Sequence, residues 1–286
     1  MIDFGNIKRL NEEEFHHFAK LIYAESGIFL KDTKITLLSN RLRKRLQALS
    51  LDSFTEYYDY IQRLPEKAKE LEQLIDVVST NETYFFRNER QFDALVQHCL
   101  PDIAKKKTNR KLRIWSAGCS TGEEPYTIAI CLLESAHLFQ GWEIEIIATD
   151  IARSVLDFAR KGEYSGRRIE KVAPAILEKY FVQDRQYPEL FAIKERARKL
   201  VTFHYLNLFK NPYPRDLDII FCRNVMIYFD REYQRRLVAG FAGSILKSGY
   251  LFIGHSETLH SISEDFVYVK LLDSPVYVPK ERANEF

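Results

Sequence analysis

Apolar residues in the N-terminal part of the chain recur at helical spacing. Phe15, Phe18, Leu21 and Ile22 make one stripe, and Leu38, Leu42, Leu46 and Leu49 make a second. Phe54, Tyr57, Tyr58 and Ile61 begin a third, and Leu71, Leu74, Ile75 and Val78 form a fourth. Steps of three and four residues place such side chains on one face of a helix. Gly27 and Pro65 fall between stripes, where helix breakers belong. With no convincing strand and no glycine after Gly27, residues 1–80 are expected to form a small all-α domain. Residues 79–90 follow as a non-periodic, aromatic-rich connector, and 91–104 return to helical spacing, so 81–110 reads as a linker plus one helix.

From Lys111 onward the pattern changes. Short apolar runs at 112–116, 145–149, 200–205, 218–222 and 250–254 alternate with helical segments, and a closing pair lies near 267–271 and 276–279. Alternating strands and helices predict an α/β domain over 111–286 with a mostly parallel sheet. The stretch 179–202 breaks the alternation. Short strands at 180–182 and 190–193 predict a small antiparallel β flap there.

The first strand runs into the segment SAGCSTGEEPY, from Ser116 to Tyr126. Gly118 and Gly122 allow positive φ and close approach of a ligand to the backbone, and Pro125 suits the first turn of a helix. A helix N-terminus normally attracts anions, but Glu123 and Glu124 already supply negative charge, which disfavours a pyrophosphate. The G-x-x-x-G spacing is neither a dinucleotide fingerprint nor a P-loop. A cofactor with an adenosine part, no phosphates and a positive charge fits better, and S-adenosylmethionine has those properties. Asp150 ends the run EIIATD, at the position where an acid holds a ribose diol in open α/β sheets; helix N-cap is the alternative role. Arg223, Asn224 and Tyr228 follow the buried run 218–222, and ligands in such sheets sit beyond the carboxyl ends of strands. Arg87, in the connector, is a candidate for aiming a carboxylate with its planar fork.

Five blocks taken together resemble the chemotaxis receptor glutamate methyltransferases, the CheR family. They are STNETYFFR from Ser79 to Arg87, SAGCSTGEEPY, ATDI from Ala148, CRNVMIYF from Cys222 to Phe229, and GHSE from Gly254 to Glu257. The resemblance covers nearly the whole chain. It implies a seven-stranded methyltransferase fold, S-adenosylmethionine as methyl donor with S-adenosylhomocysteine as product, and glutamate side chains of chemoreceptor cytoplasmic helices as acceptors. It places Arg87 and Tyr228 at the reacting centre. It also implies cofactor contacts from Asn81, Thr83, Arg87, Glu124, Asp150, Asn207, Leu208, Arg223 and Asn224, beside Gly118 of the glycine turn. Glu123 is left out, because matching members use the second glutamate. Two rivals remain, a methyltransferase for another acidic substrate or a nucleobase and a non-catalytic cofactor-sensing adaptor. The adaptor would be expected to lose Arg87 or Tyr228, and both are present.

Charge adds a docking expectation. Between Lys31 and Arg45 stand six basic residues against one acid, and Lys34, Arg41 and Arg45 share one flank of a helical wheel. They are expected to form a free surface for an acidic receptor helix. The balanced total, net +2 and pI ≈ 8.2, gives no bulk attraction to nucleic acid or membrane. Cys99, Cys119, Cys131 and Cys222 are scattered, so neither a disulfide frame nor a metal site is expected. No run is long and apolar enough for a membrane span or signal peptide, and a cytoplasmic location is expected. Asn211 to Pro214 reads as a turn. The flap loop from Gln183 to Glu189 lacks the glycine found in relatives that grip a receptor's C-terminal tether, so independence from that tether is expected.

Overall fold

The computed structural model describes residues 9–286 apart from Glu66 and Asn211, so the start of the turn read at Asn211 lies outside the described residues. Four helices open the chain: α1 (Glu12–Ser26), α2 (Ile35–Leu49), α3 (Phe54–Arg63) and α4 (Ala68–Val78). Asn11 starts α1 through a capping box: its side chain accepts from Glu14 N at 2.8 Å, and Glu14 accepts from Asn11 N at 2.9 Å. Gly27, at φ 73°, ends it in the left-handed conformation. The predicted stripes meet in one core, where Phe18, Leu42, Leu46, Tyr57, Ile61 and Leu74 are fully buried.

The next helix is interrupted. α5 (Glu89–Ala94) and α6 (Leu100–Lys106) are joined by a π-helical segment, Leu95–Cys99. Pro101 has no N–H, and its ring would crowd the carbonyl four residues back, so the backbone widens before it.

The second half alternates as expected: β1 (Lys111–Ala117), α7 (Glu123–Glu134), β2 (Glu143–Asp150), α8 (Arg153–Lys161), β3 (Glu163–Tyr164), α9 (Pro174–Tyr180), β4 (Phe181–Gln183), β5 (Phe191–Ile193), α10 (Glu195–Arg198), β6 (Val201–Tyr205), β7 (Leu217–Cys222), α11 (Arg231–Ala242), β8 (Ile245–Ile253), β9 (Phe266–Leu271) and β10 (Ser274–Pro279). Seven strands form one sheet in the order β6-β2-β1-β7-β8-β10-β9, parallel except for β10, which runs antiparallel to both neighbours. Both faces are buried. On β1, Leu112 and Ile114 join one hydrophobic layer, while Trp115 and Ala117 join the other. Trp115 satisfies its ring N–H at Thr149 Oγ1, 2.9 Å away. The flap has one strand more than expected: β3 pairs with β5, giving the order β3-β5-β4. A two-residue strand is too short to leave a period in the sequence.

The strand order reverses at β1 and β7, and a crevice opens beyond the carboxyl ends of the strands at such a point. The helical region covers it. Asn207 Nδ2 donates to Glu25 O at 2.6 Å, Phe29 N to Tyr228 O at 2.8 Å, and Tyr23 Oη to Asp230 at 2.6 Å. Arg153 on α8 makes a two-pronged bond to Glu72 on α4 at 2.7 and 2.9 Å.

Candidate active site

A cavity of about 300 Å³ lies between the helical region and the strand ends. Asn81, Thr83, Arg87, Gly118, Glu124, Asp150, Asn207, Leu208, Arg223, Asn224 and Tyr228 all line it. These positions span most of the chain, and the topology brings them to one place.

The floor is built by the glycine turn and the ends of β1, β2 and β7. Gly118 has φ 80°, and a Cβ there would stand 2.5 Å from Val225 Cγ2, so the glycine admits the chain that follows β7. Asp150 is buried at the end of β2. Its two oxygens accept from Ser120 N at 2.8 Å and Ala152 N at 2.9 Å, so it holds the turn as well as facing the cavity. Burial raises its pKa, opposed by those backbone N–H groups.

Glu124 accepts from Ser116 Oγ at 2.7 Å and lies 3.6 Å from Arg223 Nη1. The first strand thus supplies a serine, which orients an acid from α7. Burial pushes the Glu124 carboxyl up, and Arg223 and Ser116 pull it back. Burial likewise lowers the pKa of Arg223, and Glu124 offsets this. Arg223 also donates to Arg87 O and lies over the Phe92 ring at 5.1 Å. Glu123, one residue from Glu124, points elsewhere. It is fully buried against Thr121 and Arg168 and takes no part in the cavity.

The connector forms the opposite wall. Arg87 Nη1 donates to Glu82 O at 2.8 Å. Its neighbours Phe86 and Asn88 both have positive φ, 58° and 59°. That conformation is costly for an aromatic residue. Phe86 N is anchored to Thr127 Oγ1 at 3.2 Å. Tyr228 sits on the turn Met226–Tyr228 after β7. The Asn207 side chain is committed to Glu25 O and to Phe209 N at 2.9 Å, so it ties the helical region to the cavity wall.

The basic flank of α2 differs from expectation. Arg45 makes a two-pronged bond to Glu70 at 2.9 and 2.8 Å with only 13% of its side chain exposed, and Tyr57 Oη donates to the same carboxylate at 2.7 Å. Arg41 donates to Val78 O and, at 2.8 Å, to Thr80 Oγ1, where the connector leaves α4. Each stands three residues after a buried leucine, Leu38 or Leu42, so both lie at the edge of the stripe and face α4. Of the three, only Lys34 is exposed.

Sequence reasoning missed Ser26 and Ile28, which line the cavity from the end of α1 and the turn after it, and gave Glu257 no role. The GHSE block was the signal for the last, and the first two left none.

Arg223 Nε and Asn224 Oδ1 are buried without a hydrogen-bond partner. Such atoms need a partner, and a polar ligand in the cavity would supply one. An acid and an arginine side by side match the ammonium and carboxylate of an amino acid, and Asp150 retains lone pairs for a diol. The site therefore fits the aminoacyl and ribose groups of S-adenosylmethionine.

Residues 81–273 match the family described as CheR methyltransferase, SAM binding domain, and residues 13–79 match its all-alpha domain. The chain is similar to the chemotaxis protein methyltransferase of Borreliella burgdorferi, with 41% identity covering 87% of this chain and 89% of that one. It is also similar to chemotaxis protein methyltransferase 2 of Pseudomonas aeruginosa, with 38% identity and 96% of each chain covered. Identity to the Salmonella typhimurium chemotaxis protein methyltransferase is 36%, covering 90% of this chain and 88% of that one.

Proposed function

Because the chain belongs to the CheR methyltransferase family, we propose that it transfers a methyl group from S-adenosylmethionine to glutamate side chains of chemoreceptors, forming γ-methyl esters. The observation that carries this reading is the meeting of Arg87 and Tyr228, from distant parts of the chain, on a cavity floored by Glu124, Asp150 and Arg223. When bound, S-adenosylmethionine supplies an electrophilic methyl group on a sulfonium. Asp150 would hold the ribose hydroxyls, Glu124 and Arg223 would hold the ammonium and carboxylate, and Asn224 would offer its unpartnered Oδ1. Asn81, Thr83, Asn207 and Leu208 close the walls around them.

A glutamate side chain, with pKa near ~4.3, is already ionised at neutral pH, so no group has to remove a proton from it. Arg87 would aim that carboxylate, and Tyr228 would face the reacting groups from the turn after β7. Their task is alignment and exclusion of water. The receptor helix is met at the start of α2, through its N-cap residue Lys34, while Arg41 and Arg45 hold α2 against α4 and the connector. No helix among the described residues is long and apolar enough to cross a membrane, and no metal-binding cluster occurs among them.

The test is transfer of labelled methyl to chemoreceptors in membranes, followed by mild base. Label released as methanol supports ester formation on a carboxylate. Base-stable label would place the methyl on nitrogen and overturn the proposal.

A further inference from the structure

Glu257 does not itself line the cavity, yet its carboxylate gathers a segment that carries two site residues that do, Asn224 and Tyr228. It follows β8, one turn beyond Gly254. Oε2 accepts from Asn224 N at 2.9 Å and from Gly254 N, and Oε1 accepts from Ile227 N at 3.2 Å. The Asn224 backbone is left-handed at φ 59°, an unfavourable conformation that needs outside support. The turn Met226–Tyr228 begins two residues later. The knot is tight: a Cβ on Gly254 would lie 2.6 Å from Glu257 Oε2 and 2.8 Å from Asn224 N. A carboxylate is the only side chain that offers two acceptor ends and no donor, and here each end meets backbone N–H groups.

We infer that Glu257 is a positioning residue, whose carboxylate sets the segment from Asn224 to Tyr228 and thereby aims Tyr228 at the reacting centre. This rests on the reading of Tyr228 given above. The two ends of the carboxylate divide the labour. Oε2 holds Asn224 on the cofactor side and Oε1 holds the turn of Tyr228, where the Met226 N–H also bears on the carboxylate.

That division gives Glu257→Gln a specific signature. Its amide has one acceptor and one donor end. With its carbonyl toward Asn224 N and Gly254 N, the amide leaves its NH₂ against the turn, facing Ile227 N–H donor to donor. The turn of Tyr228 loosens while Asn224 stays. The experiment compares Glu257→Gln, Tyr228→Phe and the double variant in methyl transfer, with S-adenosylhomocysteine affinity measured by calorimetry. Glu257→Gln is expected to lower kcat by about tenfold or more while affinity stays within about threefold. On the Tyr228→Phe background it should cost nothing further, since the hydroxyl it aims is gone. Multiplicative losses, or a wild-type rate for Glu257→Gln, would overturn the inference. A wild-type rate for Tyr228→Phe would refute the role of Tyr228 itself, and the inference with it. Should Glu257→Gln bind no S-adenosylhomocysteine, Glu257→Asp, which keeps both acceptors, takes its place in the same cycle.

Discussion

Asp150 holds the glycine turn and is proposed to hold a ribose diol as well, and a pair of substitutions separates the two tasks. Asp150→Ala removes the acceptor for a ribose diol and the two bonds that hold Ser120 N and Ala152 N. Affinity for S-adenosylhomocysteine should fall by roughly 2–4 kcal/mol, as expected for two hydrogen bonds to a charged acceptor with some compensation by water, and the melting temperature should fall as well. Asp150→Asn keeps one acceptor for the turn, so it should lose affinity with a smaller loss of melting temperature. Equal thermal losses in the two variants would show that the turn does not depend on this side chain. Arg87→Ala makes the complementary case. It should slow methyl transfer far more than it weakens cofactor binding, and equal losses in both would reduce Arg87 to a structural contact. Asp150 was legible because an acid ending a buried strand before a helix is a local pattern. The second use of its oxygens was not, since Ser120 N reaches it only when β1 and β2 lie side by side.

At the scale of elements, α2 shows what a helical wheel leaves out. The wheel places Lys34, Arg41 and Arg45 on one flank but not which neighbour that flank meets. Packing against α4 turns Arg41 and Arg45 inward, so reversing all three charges would not leave the fold untouched. Arg45→Glu would set two carboxylates together beside Tyr57. Breaking a largely buried pair of this kind costs about 3–5 kcal/mol, measurable by urea denaturation. Lys34→Glu should leave stability unchanged, raise KM for intact receptor and flatten its salt dependence. Unchanged kinetics would remove α2 from receptor docking.

The contact between α4 and α8 is sensitive to acid. The bond from Arg153 holds Glu72 below its ordinary pKa. A depressed carboxyl stabilises the fold fully above its unfolded value, near ~4.3, and loses that contribution as pH falls through the folded value. The stability difference between the protein and its Glu72→Gln variant should therefore shrink below about pH 4. It should not exceed about 1 kcal/mol at neutral pH, because the pair is half exposed. A difference constant from neutral to acid pH would show that this bond adds nothing to the fold.

For the whole molecule, the expected independence from a C-terminal receptor tether turns on the flap. Gripping a peptide by strand addition needs an open sheet edge and a loop able to bend around it. β4 is an edge of the flap, so the first requirement is met. The loop beyond β4 is tied to itself: Gln186 N and Tyr187 N donate to Asp184 Oδ1 at 2.8 and 2.9 Å, and Gln183 Nε2 to Pro188 O at 2.6 Å. Opening it would break those bonds. Titration with C-terminal peptides from the organism's own receptors should show no saturable binding. Micromolar binding that maps to the flap would mean that the loop opens at little cost.

Period and local turn chemistry are written in neighbouring residues, so the sequence by itself determined the four opening helices, the alternation of strands and helices, and the glycine turn before α7. It also marked Asp150, Arg223 and Asn224, because polar residues that end buried strands stand out against them. Tertiary structure alone decided the inward turn of Arg41 and Arg45, the third flap strand, the double use of Asp150 and the knot at Glu257. Each of these rests on contacts between segments far apart in the chain, as when Tyr23 reaches Asp230 across 207 positions. No local period encodes such a pairing. It exists only once burial of both faces of the sheet has set which segments lie side by side.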